Sequence, residues 1–330
     1  MRSLIGVVLI LGGLAFIQMG CAPDAPHDNP LDPNSPNYKA QGRVTGKVLT
    51  LSLPYAGISN ALVTVGQNGS AQVTASDGSF SFANAPSGKI TVVISKPAYL
   101  SDTLYLNLPV GGNVDTTIHI DALPQITGAQ IVTSKTDHWW PGPIYSATVT
   151  AGVSDPDGQL DIVDSTVQVR VDSLSFLMNR TTGSNYQVVI DASQLPNQDL
   201  QWLVGKVFTI SAADHENGRG ESGPFYVSRI IEPEAVPTSP TSLQSSTPSP
   251  VLGWNPPTIS YDYTYQLQIV HIDTSTGIQT VAWSQAGLSS TYVSFNYPGS
   301  LGSGTYFWTV TVIDDYGNSS RSKEASFVVP

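Results

Sequence analysis

The chain has 330 residues, 40% of them hydrophobic and only 12% charged, and 25 Asp and Glu against 14 Lys and Arg give a formal charge of −11. At roughly 100 to 150 residues per domain, this length holds two or three domains. No basic cluster exists to neutralise phosphates, which argues against a nucleic-acid partner. Gly, Pro, Ser and Thr are plentiful and long helical patterns are missing after the first segment, so the composition predicts an all-β chain with many turns.

The first segment is Leu4 to Ile17, an apolar run in which Arg2 is the only charge before Asp24. A spanning helix needs about 20 apolar residues, and this run is shorter and closes on Gln18 and Gly20, so a signal peptide over residues 1–20 is expected. Met19-Gly20-Cys21 then contains the only cysteine. It resembles the lipobox of bacterial lipoproteins, although Gln18 departs from that family's usual leucine. The resemblance implies a diacylglyceryl thioether on Cys21, an acylated (palmitate-type) amino terminus and attachment to membrane lipid. Two or more acyl chains hold a protein on a bilayer stably where one does so only marginally. With no second cysteine, no intramolecular disulfide forms, so packing holds the folded part together.

Residues 22–39 carry five prolines, three aspartates and three asparagines, with Leu31 the only large aliphatic. Such a segment buries too little apolar surface to offset chain entropy, so residues 21–40 read as a lipid-anchored flexible tether. Asn29 to Tyr38 also resembles the stretch that follows the lipidated cysteine in bacterial surface and periplasmic lipoproteins. The expected location is the cell envelope, as an outer-membrane lipoprotein facing the periplasm or the cell surface.

Over residues 41–122, Gly42 to Leu49, Ile58 to Val65 and Val73 to Phe82 alternate apolar and polar side chains, as half-buried strands do. Asp77-Gly78 between two such runs predicts a hairpin turn. Gly42, Val44, Gly46, Ala61, Val63, Val65, Asp77-Gly78-x-Phe80-x-Phe82, Pro86-x-Gly88 and Lys96-Pro-Ala-Tyr99 together resemble the carboxypeptidase regulatory-like (transthyretin-like) family. That resemblance implies a non-catalytic Greek-key sandwich used as a spacer or binding module.

Over residues 123–235 the predicted strands are Ile144 to Val153, Val163 to Val171, Tyr186 to Ile190 and Val207 to Ala213. Phe208-x-Ile210-x-Ala212-x-Asp214 stands 100 positions before Trp308-x-Val310-x-Val312-x-Asp314, with Gly218 near the counterpart of Gly317. This internal similarity predicts two copies of one immunoglobulin-like sandwich. Residues 236–330 contain Val251-Leu-Gly-Trp254, Tyr265-x-Leu267-x-Ile269, and Leu301 to Tyr306 before the Trp308 strand. They resemble the fibronectin type III family, with its core tryptophan and tyrosine corner. Pro237 to Pro250 reads as that sandwich's proline-bounded first strand, which leaves a short joint near Glu232 to Pro237. The expected fold is therefore all-β, with three β-sandwiches in tandem.

No zinc spacing relates the histidines at 27, 119, 138, 215 and 271, and no nucleophile elbow, phosphate loop or dinucleotide fingerprint occurs. No enzyme and no cofactor are expected. Asp155-Pro-Asp157-Gly158, followed by Asp161, first reads as a turn made by side chains bonding their own backbone. Asp155, Asp157 and Asp161 are also a candidate calcium set, because hard calcium takes six to eight oxygens. In His138-Trp139-Trp140-Pro141, adjacent side chains point to opposite sides of an extended chain, which would put one ring in the core and the other outside. Loop tryptophans commonly plug their own sandwich, whereas exposed ones stack on sugars or anchor a partner. Trp139 and Trp140, with the loop tyrosines Tyr261 and Tyr263, are the candidate ligand-binding residues. The reading is a non-enzymatic, lipid-anchored envelope protein that presents sandwiches to a protein partner in an adhesion, scaffold or assembly role. The alternatives are a glycan-binding accessory lipoprotein, or an enzyme with an unrecognised site.

Overall fold

The computed structural model describes residues 28, 29, 32, 34, 35, 38, 40–66 and 69–330. The expected signal peptide and Cys21 lie outside them. The chain divides into two compact units between Ile120 and Asp121.

The first unit is a seven-stranded sandwich of β1 (Gln41–Thr50), β2 (Leu62–Val65), β3 (Ser70–Val73), β4 (Ser79–Pro86), β5 (Gly88–Ser95), β6 (Asp102–Leu108) and β7 (Asn113–Ile120). One sheet runs β4-β1-β7 and the other β3-β2-β5-β6. Alternation along β1 buries Val44 and Val48 against Val63, Val92, Phe80 and Ile118, so the period-two pattern of the sequence becomes the core. The expected hairpin at Asp77-Gly78 is corrected. The turn is tight, with the Gly78 N–H donating to Ala75 O at 3.0 Å, but its flanking strands β3 and β4 belong to different sheets. Gly78 has φ +79°, and a Cβ there would lie 2.2 Å from Val48 O, so the turn crosses the core edge where only glycine fits.

The second unit contains two sandwiches. The first comprises β8 (Gln125–Thr136), β9 (Ile144–Ser154), β10 (Gln168–Val171), β11 (Leu174–Leu177), β12 (Asn179–Arg180), β13 (Asn185–Asp191), β14 (Phe208–Ala213) and β15 (Arg219–Phe225). Sheet β11-β10-β14-β15 faces β12-β13-β9-β8 across Val149, Val169, Tyr186, Phe208 and Ile210. The strand expected over Val163 to Val171 is shorter, because Asp164–Thr166 forms a 3-10 turn. There Thr166 donates through both its N–H (2.8 Å) and its Oγ1 (2.7 Å) to Val163 O, a local bond that competes with the ladder.

The other sandwich comprises β16 (Val236–Ser239), β17 (Gln244–Ser245), β18 (Val251–Asn255), β19 (Tyr263–Ile272), β20 (Gln279–Ser289), β21 (Ser294–Asn296), β22 (Gly304–Asp314), β23 (Ser319–Arg321) and β24 (Ala325–Val329). The strand expected over Pro237 to Pro250 is reduced to two short pieces with turn and irregular chain between and after them, β16 pairing β18 and β17 pairing β24. Trp254, Tyr265, Trp308 and Phe327 fill the core. Trp308 is fully buried and its Nε1–H donates to Pro240 O at 2.8 Å, so the large apolar ring carries no orphan donor. The Tyr306 hydroxyl donates to Gly302 O at 3.0 Å, the backward bond of a tyrosine corner.

These two sandwiches share one sheet. Strand β23 pairs in parallel with β8, Ser319 opposite Ser134 and Arg321 opposite Thr136, which makes a ten-stranded sheet through both. The joining segment is bonded to both. From one sandwich, the Lys135 Nζ donates to Glu232 O at 2.7 Å and the Tyr145 hydroxyl to Glu232 Oε2 at 2.8 Å. From the other, Asn318 Nδ2 donates to Ser228 Oγ at 2.8 Å, while the Thr133 N–H reaches Asn318 Oδ1 directly at 2.8 Å.

Candidate functional site

The loop between β8 and β9 carries the tryptophan pair, and it is held from below by Glu324, just before β24. The Glu324 carboxylate meets His138 Nδ1 at 2.6 Å and accepts from Arg321 Nη2 at 2.9 Å, while its carbonyl accepts from Trp139 Nε1 at 2.8 Å. The Lys323 ammonium lies 4.9 Å from the Trp139 ring centroid, a cation–π contact. Against the expectation of one ring in and one out, both tryptophans are outside, Trp139 74% and Trp140 87% exposed. The backbone after His138 is loop and turn rather than strand, so two-sided alternation does not operate there.

Trp139 forms one wall of a cleft of about 350 Å³ whose other walls include Glu234, Val236, Pro237, Thr241 and Ser326. The cleft is thus lined by the loop after β8, the start of the third sandwich and the chain from Lys323 to Ser326. Burial raises the Glu234 carboxyl, opposed by Lys135, whose Nζ stands 3.4 Å away.

The candidate tyrosines are placed differently. Tyr261 packs on the third core, and the Arg229 guanidinium covers its ring at 3.8 Å. Tyr263 packs on the same core, its hydroxyl 3.2 Å from that of Tyr265. The tryptophan pair and the two tyrosines are thus not one aromatic platform.

The aspartate loop forms a turn, as its sequence implies. The Asp157 N–H donates to Asp155 Oδ1 at 2.8 Å, and the Gly158 N–H to Asp155 O at 3.1 Å. It also meets carboxylates that the linear sequence does not bring to it. Ligand oxygens of Asp121, Asp157 and Asp161 lie within 4.8 Å of one another, and so do those of Asp121, Asp214 and Glu216. Asp157 Oδ2 accepts the Ala122 N–H at 2.7 Å, which fixes the start of the second unit on this loop. Both oxygens of Asp121 and one each of Asp155, Asp161 and Asp214 are buried without a hydrogen-bond partner. Burial first, and then the neighbouring carboxylates led by Asp214, push the Asp121 carboxyl up to about 7. Asp155 is pushed up to about 6, again chiefly by burial, and Asp214 and Glu216 are raised for the same reason.

Among the described residues no helix is long and apolar enough to cross a membrane. No family model and no curated protein matches the chain. Solved structures with a similar arrangement of strands include the FN1–FN3 domains of chicken CNTN1, at 10% identity over 88% of this chain and 99% of that one, with a TM-score of 0.33. They also include BcpA, the major pilin subunit of Bacillus cereus, at 10% identity over 84% and 91%, with a TM-score of 0.29. The fibronectin(III)-like modules of Clostridium thermocellum CbhA match at 14% identity over 63% and 93%, with a TM-score of 0.29. The likeness is one of all-β sandwich folds, and no functional step rests on it.

Proposed function

We propose that this chain is a non-enzymatic binding protein of the cell envelope, held to membrane lipid through an acylated Cys21, whose sandwiches present the Trp139–Trp140 loop to a protein partner. The observation that carries this reading is the exposed tryptophan pair. Large aromatic surface left in water on a braced loop favours a partner that covers it. The shared sheet beneath the loop keeps the rings in place before contact, so little conformational freedom is lost on binding. Lipid confinement would raise the effective concentration of the loop for a neighbour on the same surface. The transthyretin-like first sandwich serves in this reading as spacer.

A glycan ligand is the second reading, favoured by Trp139. Its ring is oriented by the Nε1 bond to Glu324 O and sits beside a cleft lined with Thr241, Ser242 and Ser326 hydroxyls, the mixture of flat ring and small polar groups on which sugars stack. Photo-crosslinking from position 140 in cells, with and without Trp139→Ala, tests both. A protein adduct supports the first reading, adducts only to polysaccharide support the second, and no adduct from either variant removes the loop as contact surface. The anchor is tested separately. Cys21→Ser is expected to be neither acylated nor matured, and a Cys21→Ser variant that is still matured and stays in the detergent phase like the parent would overturn the lipid attachment.

A further inference from the structure

We infer that Asp121, Asp157, Asp161, Asp214 and Glu216 form a calcium-binding site, with Asp121 the ligand common to its two halves. The set is drawn from three separate stretches. Asp121 opens the second unit, Asp157 and Asp161 lie in the loop after β9, and Asp214 and Glu216 lie in the turn between β14 and β15. Two ligands on one ion are separated by at most twice the metal–ligand distance, about 5 Å for calcium, and the oxygens in each half lie within 4.8 Å.

Asp121 supplies the observation that points to a cation. It is 7% exposed and neither of its oxygens has a hydrogen-bond partner, although a buried carboxylate is costly unless paired. Asp214, 3% exposed, spends Oδ1 on the Gly218 N–H at 2.6 Å and leaves Oδ2 orphaned toward the same place. Position 218 keeps that place clear, since a Cβ there would fall 2.2 Å from Asp214 Oδ2 and 2.9 Å from Asp121 Oδ2. The imidazole that borders the set, His215, stands at the exposed rim, 3.5 Å from Asp161 Oδ1. All five carboxylates are hard oxygen donors of the kind calcium prefers. Asp155, whose Oδ1 already closes the loop turn, positions Asp157 rather than joining the shared set.

The test uses the full chain in detergent, stripped of metal with a chelator, then titrated calorimetrically with calcium chloride while its melting temperature is followed. One or two ions per chain are expected, with Kd below about 1 mM and a rise in melting temperature at about 2 mM calcium. Asp121→Asn is expected to weaken binding at least about ten-fold and, in chelator, to melt no lower than the parent, because it removes an unpaired buried charge. Should Asp121→Asn fail to fold, the exposed Glu216→Gln provides the same reading of affinity without disturbing the core. No binding heat and no thermal shift at about 2 mM calcium would overturn the site, and so would parental affinity in Asp121→Asn or, failing that, in Glu216→Gln. A pH-dependent melting temperature indifferent to calcium would equally overturn it, by assigning the buried carboxyls to shared protons instead.

Discussion

Two hairpins of the second unit start from nearly the same local design and end in opposite electrostatic states. In each, a strand closes on an aspartate, Asp214 or Asp314, whose Oδ1 accepts the N–H four residues on, at 2.6 Å from Gly218 and 2.9 Å from Asn318. In each, the residue before that donor has positive φ, Asn217 at 68° and Gly317 at 86°. At Asp314 the second oxygen accepts from Asn318 Nδ2 at 3.0 Å and faces Arg229 Nη1 at 3.5 Å, so amide and guanidinium complete the shell. At Asp214 the amide is replaced by the hydrogen of Gly218, and the space it would fill holds the carboxylate of Asp121. The same backbone therefore makes a self-sufficient joint in one copy and a cluster of carboxylates in the other. What differs is one side chain on the turn and one on the preceding linker.

The largest effect is expected from removing the internal cation. Arg229→Ala leaves Asp314, whose side chain is fully buried, with no opposite charge. It should destabilise the second unit by about 2–4 kcal/mol, less than for a fully buried pair because the arginine is part exposed, and calcium should not restore the loss. Urea unfolding with and without calcium reads this directly.

Gly218→Ala should cost about 1–3 kcal/mol by overpacking against Asp214 and Asp121, and should also abolish any calcium response. Gly317→Ala, at φ +86° but with its nearest neighbour 3.7 Å away, should cost only about 1 kcal/mol of backbone strain and leave that response intact. If both variants behaved alike in calcium, the two turns would be equivalent and the contrast would fail.

A pH series sharpens the comparison further. The Asp121 carboxyl in the folded protein stands near 7 and that of Asp155 near 6, both above their usual value near 4. The folded state binds more protons than the unfolded one between those limits, so the chelated protein should lose stability as pH rises from about 4 to about 7. Asp157, Asp161, Asp214 and Glu216 face the same space and His215 borders it, and the Asp214 and Glu216 carboxyls, raised by burial, act in the same direction. Saturating calcium should flatten or reverse the slope, because bound ligands must be deprotonated. Parallel thermal melts across that range, in chelator and in calcium, are the measurement.

The smallest stability effect is expected at the exposed loop. Trp140→Ala should change stability by less than about 0.5 kcal/mol, since the ring is 87% exposed, while abolishing crosslinking to a partner from a probe placed at position 142 of the same loop. A stability loss of several kcal/mol would mean that the ring plugs its sandwich after all.

Strand positions were legible because burial follows alternation. The Ile144 strand, the Trp254 and Trp308 core and the Tyr306 corner all stand where their patterns put them. The repeat linking Asp214 to Asp314 was legible for the same reason, as a spacing of like residues. Less of the candidate sites could be read. Asp155, Asp157 and Asp161 were visible as a local cluster, but Asp121 and Asp214 reach it only through the fold. The pairing of β8 with β23 joins Ser134 to Ser319, and backbone hydrogen bonding at a sheet edge leaves no mark on side-chain periodicity. The tryptophans were misjudged because alternation was applied to a loop, where the chain does not keep a strand's two faces.

That edge pairing also has a mechanical meaning. Parallel strands drawn apart from opposite ends slide along each other instead of peeling open, so their bonds resist together rather than in turn. A load entering at the amino end of β8 and leaving past β23 would meet the junction in that orientation, making the seam of the two sandwiches hard to part under tension.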